Sequence, residues 1–264
     1  MTYTREKYPD GGIYAKVTSF LNPVIVERIN TYEDLFFIKS LKDACDYNRI
    51  KDVELIIPCM FQQQHDRRFN ENESFEVKNV ADFINSCNFS RVKIFHPHSD
   101  VGPGLVNNSQ VISNAGFISD VLADIAKVTD QPPILLSTDG GSFKWVHKLA
   151  DKIDFKGDVY GASKARDAVT HKLVQQIDRH DFEGRDILIC DDLCVFGGTF
   201  VGLAEMLKTR NVGKIYLAVS HITVPNPNAL LDEAYSRIYT TDSKYETYSL
   251  TNLTIFKYKK YVFF

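Results

Sequence analysis

Short runs of branched apolar residues alternate along this chain with stretches whose apolar positions recur at helical spacing. The runs at 53–57, 91–95, 134–137, 158–160, 187–190 and 214–219 predict strands. The stretches at 32–47, 75–87, 117–128, 143–153, 199–208 and 227–236 predict helices. Such alternation implies an α/β fold, with parallel sheets flanked by helices and joined by right-handed crossovers. The polar stretch Asp100–Asn114, which carries Gly and Pro, predicts a boundary between two sets of units, 1–114 and 115–244. The tail 245–264 is rich in aromatic and β-branched residues and is expected to pack as a strand or buried terminus.

Composition changes this picture little. The chain has 264 residues, 44% of them apolar and 25% charged, as expected of one large or two smaller α/β domains. A net charge of −3 gives no electrostatic footprint for nucleic acid or an anionic membrane. The five cysteines lack metal-type spacing and point to a reducing, cytoplasmic compartment. A signal peptide and a membrane span are not expected, because the apolar runs are short.

The chemistry concentrates at strand ends. In Ile187–Phe200 a strand runs into Asp191 and Asp192, then a Gly197-Gly198 turn, then Thr199 at the start of a helix. Ligands of parallel sheets bind beyond such strand ends, and a glycine turn at a helix start aims amides at phosphate. Carboxylates for sugar hydroxyls and amides for phosphate suggest a phosphorylated ribose; the bland alternative is an ordinary turn with exposed acids. A second turn, Ile134–Ser142, repeats the pattern with Asp139, Gly140 and Gly141, and makes Asp139 a candidate Mg²⁺ ligand. Gln64, His65, Asp66 and Arg67 form a polar cluster that could grip a triphosphate or simply face solvent. His96 and His98 end a strand, where one could take a metal with carboxylates from elsewhere. Lys164-Ala165-Arg166 reads as a mobile loop able to bring two cations onto a transferring phosphoryl group, or as solvated charge.

Taken together, these stretches resemble ribose-phosphate pyrophosphokinase, the PRPP synthetase family, over most of the chain. Lys7–Gly12 is similar to the family's RFSDGE segment, Gln64–Arg67 to RQDR and His96–Ser99 to DLHA. Ser137–Ser142 is similar to SPDxGG, Lys164–Arg166 to the KRR triplet and Asp191–Thr199 to DDxxDTGGT. The resemblance implies two tandem phosphoribosyltransferase-like (type I) domains, with the tail 245–264 returning to the first. It implies an Mg²⁺-dependent transfer of diphosphate from ATP to a ribosyl acceptor. By position, His98 and Asp139 would hold the metal, Lys164 and Arg166 would stabilise the transferring group, and Asp139, Gly140 and Gly141 would form the diphosphate loop. Tyr8, Asp10, Gln64, His65, Asp66 and Arg67 would bind ATP, near a subunit interface of a homo-oligomer. Asp191 and Asp192 would bind the ribose hydroxyls, and the loop through Val195, Phe196, Gly197, Gly198 and Thr199 would hold the 5-phosphate.

The departures matter. The family's opening strand and helix do not precede Lys7, so a first domain trimmed at its start is expected. Gly12 and Gln64 stand where the family has adenine-contacting Glu and Arg, and Val195 and Phe196 stand where it has Asp and Thr. A phenyl ring expected to fill part of the phosphate pocket suits a larger acceptor, because a ring can stack on a base. The expected acceptor is therefore ADP-ribose, as in related phage enzymes that make ADP-ribose pyrophosphate for NAD⁺ reconstitution; a phage-encoded enzyme would work in the host cytoplasm. The alternatives are ribose 5-phosphate as acceptor, a catalytically silent associated subunit, and a phosphoribosyltransferase that consumes PRPP.

Overall fold

The computed structural model describes residues 1–166, 173–177 and 179–263, apart from the side chains of 164–166 and 173–176. The chain forms two compact units, Met1–Ser113 with Lys259–Phe264, and Asn114–Tyr258.

The first unit opens with an antiparallel hairpin of β1 (Thr2–Lys7) and β2 (Ile13–Ser19). Behind it lies a parallel sheet in the order β3-β4-β5-β6, built from β3 (Val24–Val26), β4 (Glu54–Ile57), β5 (Arg91–Phe95) and β6 (Ser109–Ile112). Three helices connect these strands: α1 (Tyr32–Tyr47), α2 (Glu76–Ser86) and the short α3 (Val101–Leu105). Helix α1 starts where Thr31 caps it, because the Thr31 hydroxyl accepts from the Asp34 amide while Asp34 reaches back to the Thr31 amide. Its buried face, including Phe37, Ile38 and Leu41, packs with Leu55, Ile57 and Ile94 of the sheet. Each such side chain contributes roughly 1.5–3 kcal/mol by leaving water.

The second unit carries a seven-stranded sheet in the order β13-β12-β11-β10-β7-β8-β9. Its strands are β7 (Ile134–Ser137), β8 (Val159–Arg166), β9 (Leu173–Ile177), β10 (Ile187–Cys194), β11 (Ile215–Ile222), β12 (Arg237–Thr241) and β13 (Leu253–Phe256). All neighbours run parallel except β8 and β9. Helices α4 (Ala115–Ile125), α5 (Gly140–Lys152), α6 (Gly198–Lys208) and α7 (Leu230–Ala234) complete it. All eight residues of β11 are buried, as a central strand covered on both faces requires. No helix among the described residues is long and apolar enough to cross a membrane.

Two sequence expectations need correction, those for the tail and for Lys164–Arg166. The stretch 100–114 holds α3 and the fourth strand β6, and the two units divide at its end, between Ser113 and Asn114. Only the ends of β6 are partly buried, so it shows little apolar alternation. The tail 245–264 does not return to the first unit as one piece. Its β13 pairs with β12 in register Ile238 to Leu253, and only Lys259–Phe264, containing α8 (Lys259–Val262), belongs to the first unit. There the Tyr261 ring stacks on Phe95, with ring centres 6.1 Å apart. Finally, Lys164–Arg166 lie in β8 rather than a loop, paired antiparallel with Gln175–Leu173 of β9. The first half of β8 pairs with β7 and its second half leaves that partner for β9, which extends the strand beyond its apolar run.

Candidate active site

In the second unit, two strand ends meet side by side. Strands β7 and β10 are parallel neighbours with Ser137 opposite Cys190, so the residues that follow, Thr138-Asp139 and Asp191-Asp192, emerge together. The Thr138 hydroxyl donates to Asp191 Oδ2 at 2.6 Å, and the Asp192 amide donates to Asp191 Oδ1 at 2.9 Å. Burial, followed by the charge of Asp192, pushes the Asp191 carboxyl well above its ordinary range, against the hydrogen bond from Thr138.

Beyond Asp191 and Asp192, strand β10 continues through Leu193 and Cys194 before the chain turns into α6. Gly197 caps that helix with φ of +90°, a backbone that side chains rarely adopt. Among the described residues no side chain caps α6, so the amides at Gly198 and Thr199 head the helix uncapped, an arrangement suited to an anion. A brace from the segment after β11 fixes the loop. The Thr223 amide donates to the Cys194 carbonyl, the Asn228 amide donates to the Phe196 carbonyl, and Leu231 packs under Gly197. The Phe196 ring, expected to fill part of the phosphate pocket, is instead 67% exposed. With its carbonyl tied to Asn228 and the turn made at Gly197, its side chain is left outside the loop. Val195 beside it is half-buried.

The second glycine turn differs. Asp139 is the N-cap of α5: its Oδ1 accepts from the amides of Gly141 and Ser142, each at 3.0 Å. The amide of Gly141 is therefore committed to a carboxylate, whereas Gly140 is exposed. Ser142 closes the turn, its hydroxyl accepting from the amides of Thr138 and Asp139. Lys164 and Arg166 lie on β8, the other neighbour of β7, and their side chains are outside the described residues.

In the first unit, the hairpin turn between β1 and β2 carries Tyr8–Gly12. Asp10 accepts from the Gly12 amide at 2.9 Å, and exposed Tyr8 stacks on Tyr14 with ring centres 4.7 Å apart. After β4, Gln64 is exposed and Asp66 is buried. Burial alone would raise the Asp66 carboxyl, but the Ser99 hydroxyl and the Arg67 guanidinium, 3.0 Å away, outweigh it and hold the group low. The His65 ring sits tilted against Phe69, with ring centres 5.5 Å apart, and its Nδ1 is buried with no hydrogen-bond partner among the described residues. At the end of β5, His96 is buried with φ of +39°, an uncommon backbone for a residue with a side chain. That turn leaves His98 exposed, with its amide donating to Gln63 Oε1 at 2.9 Å.

Sequence reasoning missed Gln63, Thr138, Ser142 and the Thr223–Leu231 brace. The signal for Ser142 was present, since Asp139 and Ser142 have capping-box spacing. The others depend on contacts between distant strands.

Among the described residues no three or more His, Cys, Asp or Glu side chains gather to hold a metal. The donors present fit an ion carried mainly by phosphate oxygens and water, as hard Mg²⁺ often is, with one protein carboxylate added. Asp139 is the candidate for that carboxylate because it stands at the end of β7, at the head of α5.

Comparison with known proteins gives a consistent result. Residues 108–249 match the model of the phosphoribosyl transferase domain. A ribose-phosphate pyrophosphokinase of Sulfolobus acidocaldarius is 23% identical over 243 residues, covering 88% of this chain and 78% of the relative. Ribose-phosphate pyrophosphokinase 2 of Archaeoglobus fulgidus is 25% identical over 225 residues, covering 85% and 77%. The crystal structure of phosphoribosylpyrophosphate synthetase from Mycobacterium smegmatis superposes with a TM-score of 0.81 at 17% identity, covering 97% of this chain and 86% of that one.

Proposed function

The chain belongs to the phosphoribosyl transferase family and, within it, to the PRPP synthetases, and from that premise we propose that it moves the β,γ-diphosphate of ATP onto ribose 5-phosphate. It is a diphosphotransferase of the ribose-phosphate pyrophosphokinase type. The observation that carries the reading is the pairing of strand ends. A half-buried carboxyl pair, its first member Asp191 bound by Thr138, lies next to the α5 turn on one side and leads to the uncapped start of α6 on the other.

In the proposed reaction the anomeric hydroxyl of the acceptor attacks the β-phosphorus of ATP. The bond from that phosphorus to the oxygen of the α-phosphate breaks, AMP leaves, and the hydroxyl proton is lost. Asp191 and Asp192 accept hydrogen bonds from the ribose 2- and 3-hydroxyls and orient the sugar. The amides of Gly198 and Thr199 hold its 5-phosphate at the head of α6. Lys164 and Arg166 stabilise charge on the transferring group. His98 and Asp139 are each candidates to hold Mg²⁺, which when bound would supply charge neutralisation on the ATP phosphates. Tyr8, Asp10, Gln64, His65, Asp66 and Arg67 are assigned to the nucleotide. The unpartnered His65 Nδ1 and the stacked Tyr8–Tyr14 pair support that assignment. A homo-oligomer with the nucleotide site near a subunit interface belongs to the same reading.

A second acceptor, ADP-ribose, is favoured by one observation. The exposed Phe196 ring at the acceptor loop is free to lie under a base, a contact worth ~1–3 kcal/mol. The names of the relatives favour ribose 5-phosphate. Incubation with Mg-ATP and each sugar in turn, followed by AMP, decides. AMP release with ribose 5-phosphate is expected; release with ADP-ribose alone would move the assignment to the second acceptor, and release with neither would overturn the transfer.

A further inference from the structure

Thr138 lies at the end of β7, outside the residues assigned above, and is fully buried. Its hydroxyl has one proton, and Asp191 Oδ2 lies 2.6 Å away. The Thr138 hydroxyl oxygen is also 3.2 Å from the Ser142 hydroxyl, and the Ser142 hydroxyl in turn is 3.2 Å from Asp139 Oδ1. Two hydroxyls thus link the carboxylate that caps α5 to the carboxylate at the head of the acceptor loop. The Thr138 amide also donates to Ser142, which holds the turn and the side chain in one orientation. A residue such as proline, which the SPDxGG pattern has at this point, would supply neither the hydroxyl nor the amide donor.

We propose that Thr138 is a positioning residue that anchors Asp191 to the turn before α5, so that the Asp191 carboxyl meets the acceptor sugar in one orientation. With Oδ2 engaged by Thr138 and Oδ1 by the Asp192 amide, Asp191 is fixed in rotation, and its remaining lone pairs meet the sugar in one geometry. Loss of the hydroxyl leaves a buried carboxylate oxygen short of a donor and free to turn. The inference rests on the proposed diphosphate transfer to a ribosyl acceptor.

Steady-state kinetics of wild type, T138V and T138S with Mg-ATP and ribose 5-phosphate or ADP-ribose test it. The valine variant keeps the side-chain shape without the donor. The expected result is a rise of about tenfold in KM for the sugar with the KM for ATP changed far less, and recovery toward wild type in T138S. T138A carries the same test if T138V does not fold. Equal changes in both KM values, or T138S as impaired as T138V, would indicate a packing role and overturn the proposal while leaving the transfer reading intact. A wild-type protein that releases AMP with neither sugar would overturn the transfer reading, and this role with it.

Discussion

A β-carbon placed on Gly197 would lie 2.6 Å from Cδ1 of Leu231, well inside any normal contact. Gly197 also has φ of +90°, so glycine is required there twice, once by the backbone and once by the helix packed beneath it. G197A is expected to destabilise the protein by about 2–4 kcal/mol, combining backbone strain with overpacking. The double variant G197A/L231A should recover the steric share when each is compared with L231A, but not the strain. Urea unfolding of the four proteins measures this; a G197A variant as stable as wild type would refute the account of the turn.

The raised carboxyl of Asp191 has a consequence for stability. Its ordinary value is 3.8, and burial followed by the Asp192 charge lifts it in the folded protein. Between the ordinary and the raised value the folded state binds more protons than the unfolded chain. Stability therefore falls as pH rises through that window. D191N cannot ionise, so its stability should depend less on pH and exceed that of wild type at neutral pH, while its turnover falls. Thermal unfolding across pH 4 to about 8 checks the slope; parallel curves for the two proteins would contradict it.

The acceptor loop was legible because its signals are local: an apolar strand, two acids, two glycines and a helix, all within Ile187–Lys208. Helix α1 was legible at both ends because the Thr31–Asp34 box marks its start and apolar periodicity carries it to Tyr47. The hairpin β1–β2 was not, because none of its residues is fully buried, and the inward positions of β2 are half-buried rather than core. Strand β12 was hidden because it begins straight after a short helix and ends in the polar run Thr240–Lys244, buried by neighbours rather than by its own character. The bond from Thr138 to Asp191 spans 53 positions and exists only because β7 and β10 are sheet neighbours, an order no local pattern encodes.

All five cysteines are free and buried. Burial pushes the Cys194 thiol up to about 12 and the Cys190 thiol higher still, which keeps both protonated at neutral pH. A thiol-specific reagent at neutral pH should therefore label native protein slowly, and all five sites should react once denaturant exposes them. Rapid labelling of Cys190 or Cys194 in the native protein, read by peptide mass, would contradict the packing around β10.

Lys164 lies on the arm of β8 that leaves β7 for β9. Lys164→Ala is expected to lower kcat about 10²–10³-fold through lost charge stabilisation, with the unfolding midpoint nearly unchanged. Unchanged kcat would remove Lys164 from the transfer step.

Phe196 offers the sharpest test of acceptor size. Its ring is exposed at the loop that leads into α6, and its backbone carbonyl is already held by Asn228, so a substitution there should leave the loop in place. A hydroxyl in place of the ring would add a donor for a free 5-phosphate and remove a stacking surface for a base. Phe196→Thr should therefore shift the ratio of kcat/KM toward ribose 5-phosphate and away from ADP-ribose, by roughly 5–100-fold if stacking contributes its usual ~1–3 kcal/mol. The measurement is AMP release at limiting concentrations of each sugar. If the ratio does not move, the ring takes no part in choosing the acceptor, and the case for a larger acceptor loses its only structural support.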